Sequence, residues 1–456
     1  MPISTLQEQD TIAAIATAPG RGGIGIIRLS GKNSLAIAEK LSGQKMRPRF
    51  AHFCRFLSQD ELIDEGLAIY FSMPNSFTGE DVVELQIHGG PLVLRLLLEA
   101  CLRLGARQAL PGEFSQRAFL NDKLDLTQVE AIADLIDAGT TAGVRAANQS
   151  LQGVFSQQVN ALQDQLNEIR IYVEAAIDFP EEEIDFIADS DILERIRKTS
   201  LAIEELLEEA QRGLLIREGA RIAIIGRPNA GKSSLLNLLA RQDVAIVSDI
   251  AGTTRDSIEQ QIEVGGAPVT FIDTAGLNDK PDQIEKIGID RALSKANDAD
   301  ILLFLFDASI HSGAPLKNIL GDYTSILETD KPVLFVANKS DLPGSDLSTI
   351  SLTNQKLVSV SAKTGEGLGG LLGEITHLLN LDEREPRFSA RTRHVHALTQ
   401  CKDAISSGLS AYDNHHSGEL LAEDLRVAQN HLSQITGNLS ADELLGKIFA
   451  GFCIGK

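Results

Sequence analysis

The sequence predicts a multidomain α/β protein in which an all-α helical domain is interrupted by an inserted domain with a parallel sheet. Two observations predict this arrangement. Strand-like and helix-like runs alternate over residues 218–379, which is the pattern of a parallel sheet wound with helices. Long, glycine-poor helical periodicity lies on both sides of that block, and neither side has an obvious way to close a core alone. One discontinuous helical domain is the simplest arrangement that satisfies both.

The chain begins with a third kind of segment. Short β-patterned runs at 11–16, 25–29 and 82–87 alternate with glycine and proline punctuation and with a helical run at 92–104. This mixture predicts a compact α+β domain. The predicted domains are 1–120 (α+β), 121–217 (first helical segment), 218–379 (inserted α/β) and 380–456 (second helical segment, ending in Cys453-Ile-Gly-Lys456).

Composition excludes several classes of protein. The net charge of −21 over 456 residues argues against a broad basic surface that grips nucleic acid. If the protein acts on RNA, we expect a partner protein to supply much of the positive charge that holds it. The cysteines are scattered without a CxxC pair, which favours a reducing cytosol over a zinc or disulfide framework. We find no signal peptide and no apolar run of membrane-spanning length, and therefore expect a cytoplasmic protein that does not contact a membrane.

Residues 226–233, Gly-Arg-Pro-Asn-Ala-Gly-Lys-Ser, have the pattern of a phosphate-binding loop. The apolar run 221–225 leads in as a strand, and 234–239 leads out as a helix. In that context the loop and helix N–H groups converge on phosphate oxygens. We expect Lys232 to reach the β- and γ-phosphates and the Ser233 hydroxyl to hold Mg²⁺.

Three more signals follow predicted strands in the same domain. Asp273-Thr-Ala-Gly276 suits a carboxylate that binds Mg²⁺ through water and an N–H that meets the γ-phosphate. In Asn338-Lys-Ser-Asp341, the Asp341 carboxylate matches two donors on guanine that adenine lacks. Ser361-Ala-Lys363 can support the base edge, and Thr253-Thr254 lies where a switch threonine meets Mg²⁺. Each signal alone is compatible with a plain turn, but their order predicts GTP binding.

These motifs resemble those of one family. The phosphate loop, Gly252-Thr-Thr-Arg-Asp256, and the DTAGL motif followed by Ile284-Glu-Lys-Ile-Gly288 are similar to the MnmE (TrmE) family of tRNA-modification GTPases. The resemblance covers essentially the whole chain and implies a Ras-like P-loop GTPase domain and an N-terminal folate-binding-like, dimerising domain. It extends to Pro19-Gly-Arg-Gly-Gly23, Phe77-Thr-Gly-Glu-Asp81, Pro111-Gly-Glu-Phe114, Asn121-Asp-Lys123 and Cys453-Ile-Gly-Lys456.

Together the motifs and the resemblance predict a GTP site. Its predicted residues are Asn229, Ala230, Gly231, Lys232, Ser233, Ser234, Ser248, Asp249, Ile250, Ala251, Gly252, Thr253, Thr254, Asp273, Thr274, Ala275, Gly276, Asn338, Lys339, Asp341, Ser361, Ala362 and Lys363, with Ser233 and Thr254 as Mg²⁺ ligands.

The residue after DTAG is Leu277, whose alkyl side chain cannot orient a water as the glutamine of Ras-type enzymes does. From the sequence alone, Glu285 is equally a favourable helix N-terminal glutamate. The resemblance implies that Glu285 is catalytic and orients the attacking water.

The sequence assigns no arginine finger. The resemblance implies that K⁺ neutralises transition-state charge in its place. Its implied ligands are Asn229 and backbone carbonyls at Ser248, Ile250 and Thr253, and the ion site forms when two GTPase domains meet.

The resemblance also implies a folate site at Arg28, Glu84, Lys123 and Lys456, with one-carbon tetrahydrofolate as cofactor (5,10-methylene-tetrahydrofolate, and 5-formyl-tetrahydrofolate as an analogue). Taken alone, Arg28 and Glu84 read as surface charges. His88-Gly-Gly90 is either a turn or the place of a catalytic base. Cys453 is either a small buried residue or a nucleophile near a flexible end, and no catalysis is assigned to it.

The function implied by the resemblance is a K⁺-dependent GTP hydrolase in tRNA modification. With the flavoprotein MnmG (GidA), which alone carries FAD, it adds an aminomethyl or carboxymethylaminomethyl group to C5 of the wobble uridine, U34, of certain tRNAs. The implied assembly is a homodimer through the N-terminal domain, with transient GTPase-domain dimerisation and a heterotetramer or larger complex with MnmG. The alternative is a regulatory or assembly GTPase in ribosome biogenesis without folate chemistry, and folate binding distinguishes the two.

Overall fold

The computed structural model describes residues 10–178, 191–241, 259–273, 298–311, 315–343, 356–381, 386–437 and 442–455. The chain divides into two units: unit 1 comprises residues 1–133, 159–182 and 410–456, and unit 2 comprises residues 134–158 and 183–409. These units group residues by contact and cut through helices, so the four domain boundaries given above stay a prediction. The predicted multidomain α/β fold class is confirmed.

The described residues form strands and helices in the following order. The strands are β1 (Ile12–Ile15), β2 (Gly22–Ser30), β3 (Ala51–Ser58), β4 (Glu61–Phe71), β5 (Val82–Gly89), β6 (Arg107–Gln108), β7 (Ala220–Ile225), β8 (Glu259–Val264), β9 (Ala267–Asp273), β10 (Ile301–Asp307), β11 (Val333–Asn338) and β12 (Lys356–Ser359). The helices are α1 (Ser34–Ser42), α2 (Pro91–Arg103), α3 (Glu113–Leu120), α4 (Leu126–Asp137), α5 (Thr141–Leu151), α6 (Val154–Asp178), α7 (Ile192–Glu218), α8 (Lys232–Ala240), α9 (Ala308–His311), α10 (Leu316–Leu320), α11 (Leu368–Leu378), α12 (Thr392–His415), α13 (Gly418–Thr436) and α14 (Asp442–Ala450), with a 3₁₀ segment at Gly321–Glu328. Among these helices, none combines the length and apolar character that crossing a membrane requires.

Unit 1 contains a sheet with strand order β3-β4-β5-β2-β1-β6, antiparallel except for the β1–β6 pair. The strands predicted near 11–16, 25–29 and 82–87 are β1, β2 and β5. Strands β3 and β4 are additions that the sequence reading did not identify. In β3, His52, Cys54 and Phe56 are buried while Phe53 and Leu57 are exposed, so apolar residues on both faces conceal the two-residue alternation.

The C-terminal end of the chain packs within unit 1. Helix α14 joins a cluster in which Phe449 and Phe452 pack with Leu126 and Val129 of α4. The last described residue, Gly455, has φ +100, and a Cβ there would lie 2.3 Å from the Ile15 carbonyl oxygen of β1. Glycine is therefore required where the tail passes the end of β1.

Unit 2 contains a sheet with strand order β12-β11-β10-β7-β9-β8. Neighbouring strands are parallel, as expected for the inserted α/β domain, except that the edge strand β8 pairs antiparallel with β9. All seven residues of β10 are buried, as a strand covered on both faces requires. The carboxyl ends of β7, β9, β10, β11 and β12 therefore meet at one edge of the sheet.

A buried carboxylate in unit 2 joins helices to the strand that precedes the phosphate loop. Asp134 accepts hydrogen bonds from Arg217 Nε (2.7 Å), Arg391 Nη2 (2.7 Å) and Ser389 Oγ (3.0 Å). Arg217 lies in the last turn of α7, which passes through Gly219 directly into β7. The entry of β7 is thus held by a charge-assisted network.

A substitution at Gly66 tests the sheet of unit 1. A Cβ at this position of β4 would lie 2.0 Å from the Gln86 carbonyl oxygen of β5. We expect Gly66→Ala to lower the free energy of unfolding by about 1–3 kcal/mol, because the β4–β5 ladder must shift. Urea unfolding followed by circular dichroism measures the change. Gly23→Ala is the matched control, since a Cβ at Gly23 meets nothing within 4 Å. Equal midpoints for the two variants would contradict the packing described here.

Candidate functional site

The phosphate loop connects β7 to α8 at the centre of the unit 2 sheet, and two glycines set its path. Gly226 has φ +151, and a Cβ there would lie 2.1 Å from the Leu305 carbonyl oxygen of β10. Gly231 has φ +94, and its Cβ would lie 2.2 Å from Asn338 Nδ2. Neither position admits a side chain without displacing a neighbouring element, so both glycines are required for this loop path.

Lys232, the first residue of α8, lies over the loop. Its Nζ donates to the carbonyl oxygens of Gly226 (2.7 Å) and Arg227 (3.0 Å). Burial lowers the pKa of Lys232, and the Asp273 carboxylate opposes that effect. A cation held at a helix N-terminus is suited to phosphate oxygens.

Oxygen donors from two elements approach each other beside this lysine. Ser233 Oγ lies 3.4 Å from Oδ2 of Asp273, the buried last residue of β9. Hydroxyl and carboxylate oxygens are ligands that Mg²⁺ takes. Within the described ranges, no group of three or more His, Cys, Asp or Glu side chains is placed to hold a metal. A magnesium ion here would draw most of its ligands from phosphate and water.

Asn338 joins the phosphate loop to the loop after β12. Its buried side chain donates from Nδ2 to the Ala230 carbonyl oxygen (2.8 Å), and its Oδ1 accepts from the Ala362 N–H (2.9 Å). Sequence reasoning placed Asn338 in the guanine-reading motif. The structure adds that it bridges two loops that are far apart in the sequence.

Asp341 and Ser361 form the next contact at this edge. Ser361 Oγ donates to Asp341 Oδ1 (2.8 Å) and accepts from the Thr364 N–H (3.1 Å). Ser361 is buried while Asp341 is exposed. The serine therefore orients the carboxylate that the sequence assigns to base recognition.

Asp307 is a site residue that sequence reasoning missed. Its Oδ2 lies 2.6 Å from Lys339 Nζ, and its Oδ1 accepts from both the N–H (3.0 Å) and the Oγ (2.7 Å) of Ser309. Burial raises the pKa of Asp307, but the bonds from Lys339 and Ser309 outweigh it and hold this pKa below its ordinary value. One signal was available: Asp307 ends the apolar strand β10, at the same edge as Asp273 and Asn338.

Asn338, Lys339 and Asp341 lie in the wall of a cavity of ≈ 510 Å³. The predicted residues Gly231, Ser234, Asn338, Lys339, Asp341, Ala362 and Lys363 line it, together with Asn237, Leu238, Arg241 and Leu342, which were not predicted. The volume is in the range of small-molecule sites. The predicted residues Asn229, Ala230, Lys232, Ser233, Asp273 and Ser361 are described but are not in the cavity wall. Outside the described residues lie the predicted residues Ser248, Asp249, Ile250, Ala251, Gly252, Thr253, Thr254, Thr274, Ala275, Gly276 and Glu285, and also Leu277.

Two of the residues predicted for folate, Arg28 and Glu84, are in contact in unit 1. Arg28 of β2 and Glu84 of β5 are cross-strand partners, and Arg28 Nε and Nη2 lie 3.1 and 2.9 Å from Glu84 Oε1. The Arg28 guanidinium lies 5.4 Å from the Phe77 ring centroid and 5.8 Å from that of Phe114. Lys123 passes Gly79, where a Cβ would lie 3.2 Å from its Cγ. Phe77 and Phe114 thus bring motifs 77–81 and 111–114 beside the β2–β5 pair, and Lys123 contacts the first of these motifs at Gly79. Lys456 lies outside the described residues.

Two other side chains were left open by the sequence. His88 is the penultimate residue of β5, and its Nδ1 lies 3.0 Å from the Asp64 carboxylate, which also accepts the His88 N–H (2.9 Å). Cys453 is exposed, so the alternative that it is a small buried residue is wrong. Its carbonyl oxygen accepts from the Gly112 N–H (3.4 Å), within the predicted motif 111–114.

Comparison with known proteins identifies relatives over the whole chain. The family model "MnmE helical domain" matches residues 126–453, and "GTP-binding protein TrmE N-terminus" matches residues 11–123. The tRNA modification GTPase MnmE of Chromohalobacter salexigens is 51% identical over 458 residues, covering 100% of both chains. The proteins of the same name from Pseudomonas fluorescens and Saccharophagus degradans are 50% and 49% identical, with 98–99% of this chain and 99–100% of theirs covered.

Truncation of Asn338 tests the bridge between the loops. We expect Asn338→Ala to weaken GDP binding at least about tenfold, because the buried Ala230 carbonyl and Ala362 N–H lose their partners. Titration calorimetry with GDP measures the dissociation constant. Asn148→Ala, an exposed position on α5, is the control and should bind as the wild type does. Unchanged affinity for Asn338→Ala would show that the loops keep their geometry without the bridge.

Proposed function

Because this chain belongs to the MnmE family of tRNA modification GTPases, we propose that its GTP hydrolysis requires K⁺ and serves modification of the wobble uridine. With the flavoprotein MnmG as partner and a one-carbon folate as donor, the product would carry an aminomethyl or carboxymethylaminomethyl group at C5 of U34. FAD would enter only through MnmG. The observation that carries the proposal is the convergence of three sequence motifs, the phosphate loop, 338–341 and 361–363, on one cavity in unit 2.

Guanine selectivity follows from the geometry of the base side of the cavity. Asp341 lies in the cavity wall with Ser361 Oγ on one carboxylate oxygen, and a guanine edge offers that carboxylate two N–H donors. Adenine would leave the carboxylate unpaired, which a binding site rejects strongly. Lys339, held by Asp307, forms another section of the wall.

Hydrolysis needs a group that replaces the missing glutamine. We assign the orientation of the attacking water to Glu285, since Leu277 cannot perform it. Asn229 supports a K⁺ site: it is exposed on the phosphate loop with φ +63, and its side chain carries an amide oxygen. Bound cations would supply charge stabilisation to the transferring phosphoryl group, with Ser233 and Thr254 assigned to Mg²⁺ and Asn229, Ser248, Ile250 and Thr253 to K⁺.

The dependence on K⁺ is testable by exchanging the cation. We expect GTP turnover in sodium-only buffer to fall at least about tenfold below that in K⁺, because the smaller ion does not fill the site that stabilises transition-state charge. In Asn229→Ala the two buffers should give similar, slow turnover. The malachite-green phosphate assay measures both. Equal turnover of the wild type in Na⁺ and K⁺ would exclude the proposal.

The Arg28–Glu84 pair supports the folate component of the proposal. A carboxylate can accept the amide and amine donors of a pterin as it would those of guanine, and cations suit the anionic glutamate tail. Glu84 is partly buried and forms an ion pair with Arg28. Lys123 lies beside Gly79. Lys456 is assigned to the glutamate tail of the folate. We further propose a homodimer through the N-terminal domain, transient dimerisation of the GTPase domains, and a heterotetramer or larger complex with MnmG.

Binding of 5-formyl-tetrahydrofolate separates this function from a regulatory GTPase of ribosome biogenesis. We expect Glu84→Gln to lower folate affinity at least about tenfold, because the neutral amide pairs poorly with the pterin donors and with Arg28. Glu99→Gln, an exposed glutamate on α2, is the control. Titration calorimetry gives affinities, and mass spectrometry of tRNA nucleosides from a deletion strain reports U34. No folate binding by the wild type together with unchanged wobble nucleosides would favour the ribosome-assembly alternative.

A further inference from the structure

Helix α3 of unit 1 buries a charged side chain among three carboxylates. The side chain of Arg117 is only 13% exposed. Its Nη2 donates to Asp10 Oδ1 (2.7 Å) and to Glu113 Oε1 (3.1 Å), and its Nη1 donates to Glu80 Oε2 (3.1 Å). A second guanidinium, that of Arg107, lies between the Asp10 and Glu113 carboxylates. We call these five residues the Arg117 network.

One member of the network lies in the connection between β4 and β5, residues 72–81. Glu80 of this β4–β5 connection accepts from Arg117 on α3 and also from Ser30 Oγ of β2 (2.7 Å). Ser30 Oγ in turn lies 2.7 Å from Thr78 Oγ1 of the same connection. The β4–β5 connection is therefore tied to the helix on one side and to the sheet on the other.

The same two elements each place an aromatic ring beside Arg28. Phe77 of the β4–β5 connection has its ring centroid 5.4 Å from the Arg28 guanidinium. Phe114, in the first turn of α3, is fully buried, and its ring centroid lies 5.8 Å from the same guanidinium. The Arg117–Glu80 pair joins the connection to the helix, so it constrains how the two rings are placed around Arg28.

The network is charged at neutral pH. Burial raises the pKa of Glu113, but the hydrogen bonds from Arg107 and from the Leu110 N–H outweigh it and hold this pKa below its ordinary value. The pKa of Asp10 is also lowered, because its bonds to Arg107 and Arg117 outweigh burial. Buried ion pairs contribute little net stability, since removing charges from water costs free energy comparable to their attraction. Stability alone is therefore a weak reason for this network.

A guanidinium supplies direction, which apolar packing does not. Its planar fork fixes both the angle and the distance of each carboxylate that it contacts. Phe77 also packs against an apolar cluster that contains Phe114, but apolar contact is non-directional. The orientation of the β4–β5 connection against α3 therefore depends on the Arg117–Glu80 pair.

We propose that Arg117 is a positioning residue for folate binding. Through Glu80 it fixes the connection that carries Phe77, and through that ring it fixes the direction from which the Arg28 guanidinium meets Glu84. Arg117 acts through these groups and does not itself contact the folate. The inference rests on the proposed folate site at Arg28 and Glu84, and it names the device that orients this pair.

The experiment measures binding of 5-formyl-tetrahydrofolate to the full-length chain by titration calorimetry. We expect Arg117→Lys to weaken binding at least about tenfold, because an ammonium keeps the charge but lacks the fork that reaches Glu80 and the other carboxylates together. Urea unfolding verifies that the variant folds. GDP affinity, which reports on unit 2, should equal that of the wild type.

Arg107→Lys is the matched control. It is the same substitution in the same network, but the contacts of Arg107 are to Asp10, Glu113 and the Gln108 carbonyl oxygen, all outside the β4–β5 connection. We expect folate affinity within about twofold of the wild type, because this change leaves the connection in place.

A double-variant cycle separates positioning from a general loss of stability. Glu80→Gln weakens the same contact from its other partner, and it tests the proposal alone if Arg117→Lys does not fold. We expect Glu80→Gln to weaken folate binding at least about tenfold. Combined with Arg117→Lys, it should add less than about twofold, because the two changes remove one interaction. Effects of two independent losses of stability would instead add.

Phe77→Ala tests the route from the network to Arg28. It removes the ring and keeps every member of the Arg117 network. We expect folate binding to weaken at least about tenfold, because the Arg28 guanidinium loses the ring beside it.

Three outcomes with wild-type folate binding intact would overturn the inference alone. They are wild-type affinity in Arg117→Lys and Glu80→Gln, equal losses in Arg117→Lys and Arg107→Lys, and wild-type affinity in Phe77→Ala. The second of these would make the network a general support of the domain. Absence of folate binding by the wild type would remove the folate component of the proposed function together with this inference, so the two failures are distinguishable.

Discussion

The proposed nucleotide site of this protein depends on one buried amide, that of Asn338. Its two hydrogen bonds join the phosphate loop at Ala230 to the loop after β12 at Ala362, so that the groups proposed to bind phosphate and base lie at one edge of one sheet. The same amide explains why residue 231 is glycine, since a Cβ there would lie 2.2 Å from Asn338 Nδ2. The amide is positioned by the β10–β11 register, which pairs Asp307 with Asn338. A change in any of these elements moves the others.

The proposed sites of the two units share one structural feature, a charged group that a neighbouring side chain orients. In unit 2, Asp307 fixes Lys339 and Ser361 fixes Asp341, so that charged groups of the site are oriented by neighbours on adjacent strands or loops. In unit 1, the cross-strand partners Arg28 and Glu84 orient each other in the same way. Orientation by a second charged or hydroxyl group reduces the side-chain freedom that a ligand must otherwise remove on binding.

The net charge of −21 bears on how an RNA ligand would be held. It argues against a chain that grips RNA over its own broad surface, and it favours a partner that carries much of the positive charge.

The sequence by itself determined the strands that end in Asp273 and Asn338, the loop between β7 and α8, and the identity of the ligand, because short motifs place their donors within a few residues of one another. It did not reveal β3 and β4, whose apolar residues lie on both faces, or Asp307, whose role appears only when β10 lies beside β11. The sequence also did not predict the hydrogen bond from Asn338 to Ala230. Nor did it predict that Arg28 lies beside the rings of Phe77 and Phe114. These contacts join residues tens to more than a hundred positions apart. Only strand order and register decide which of them meet, since side-chain chemistry alone leaves many partners equally suitable.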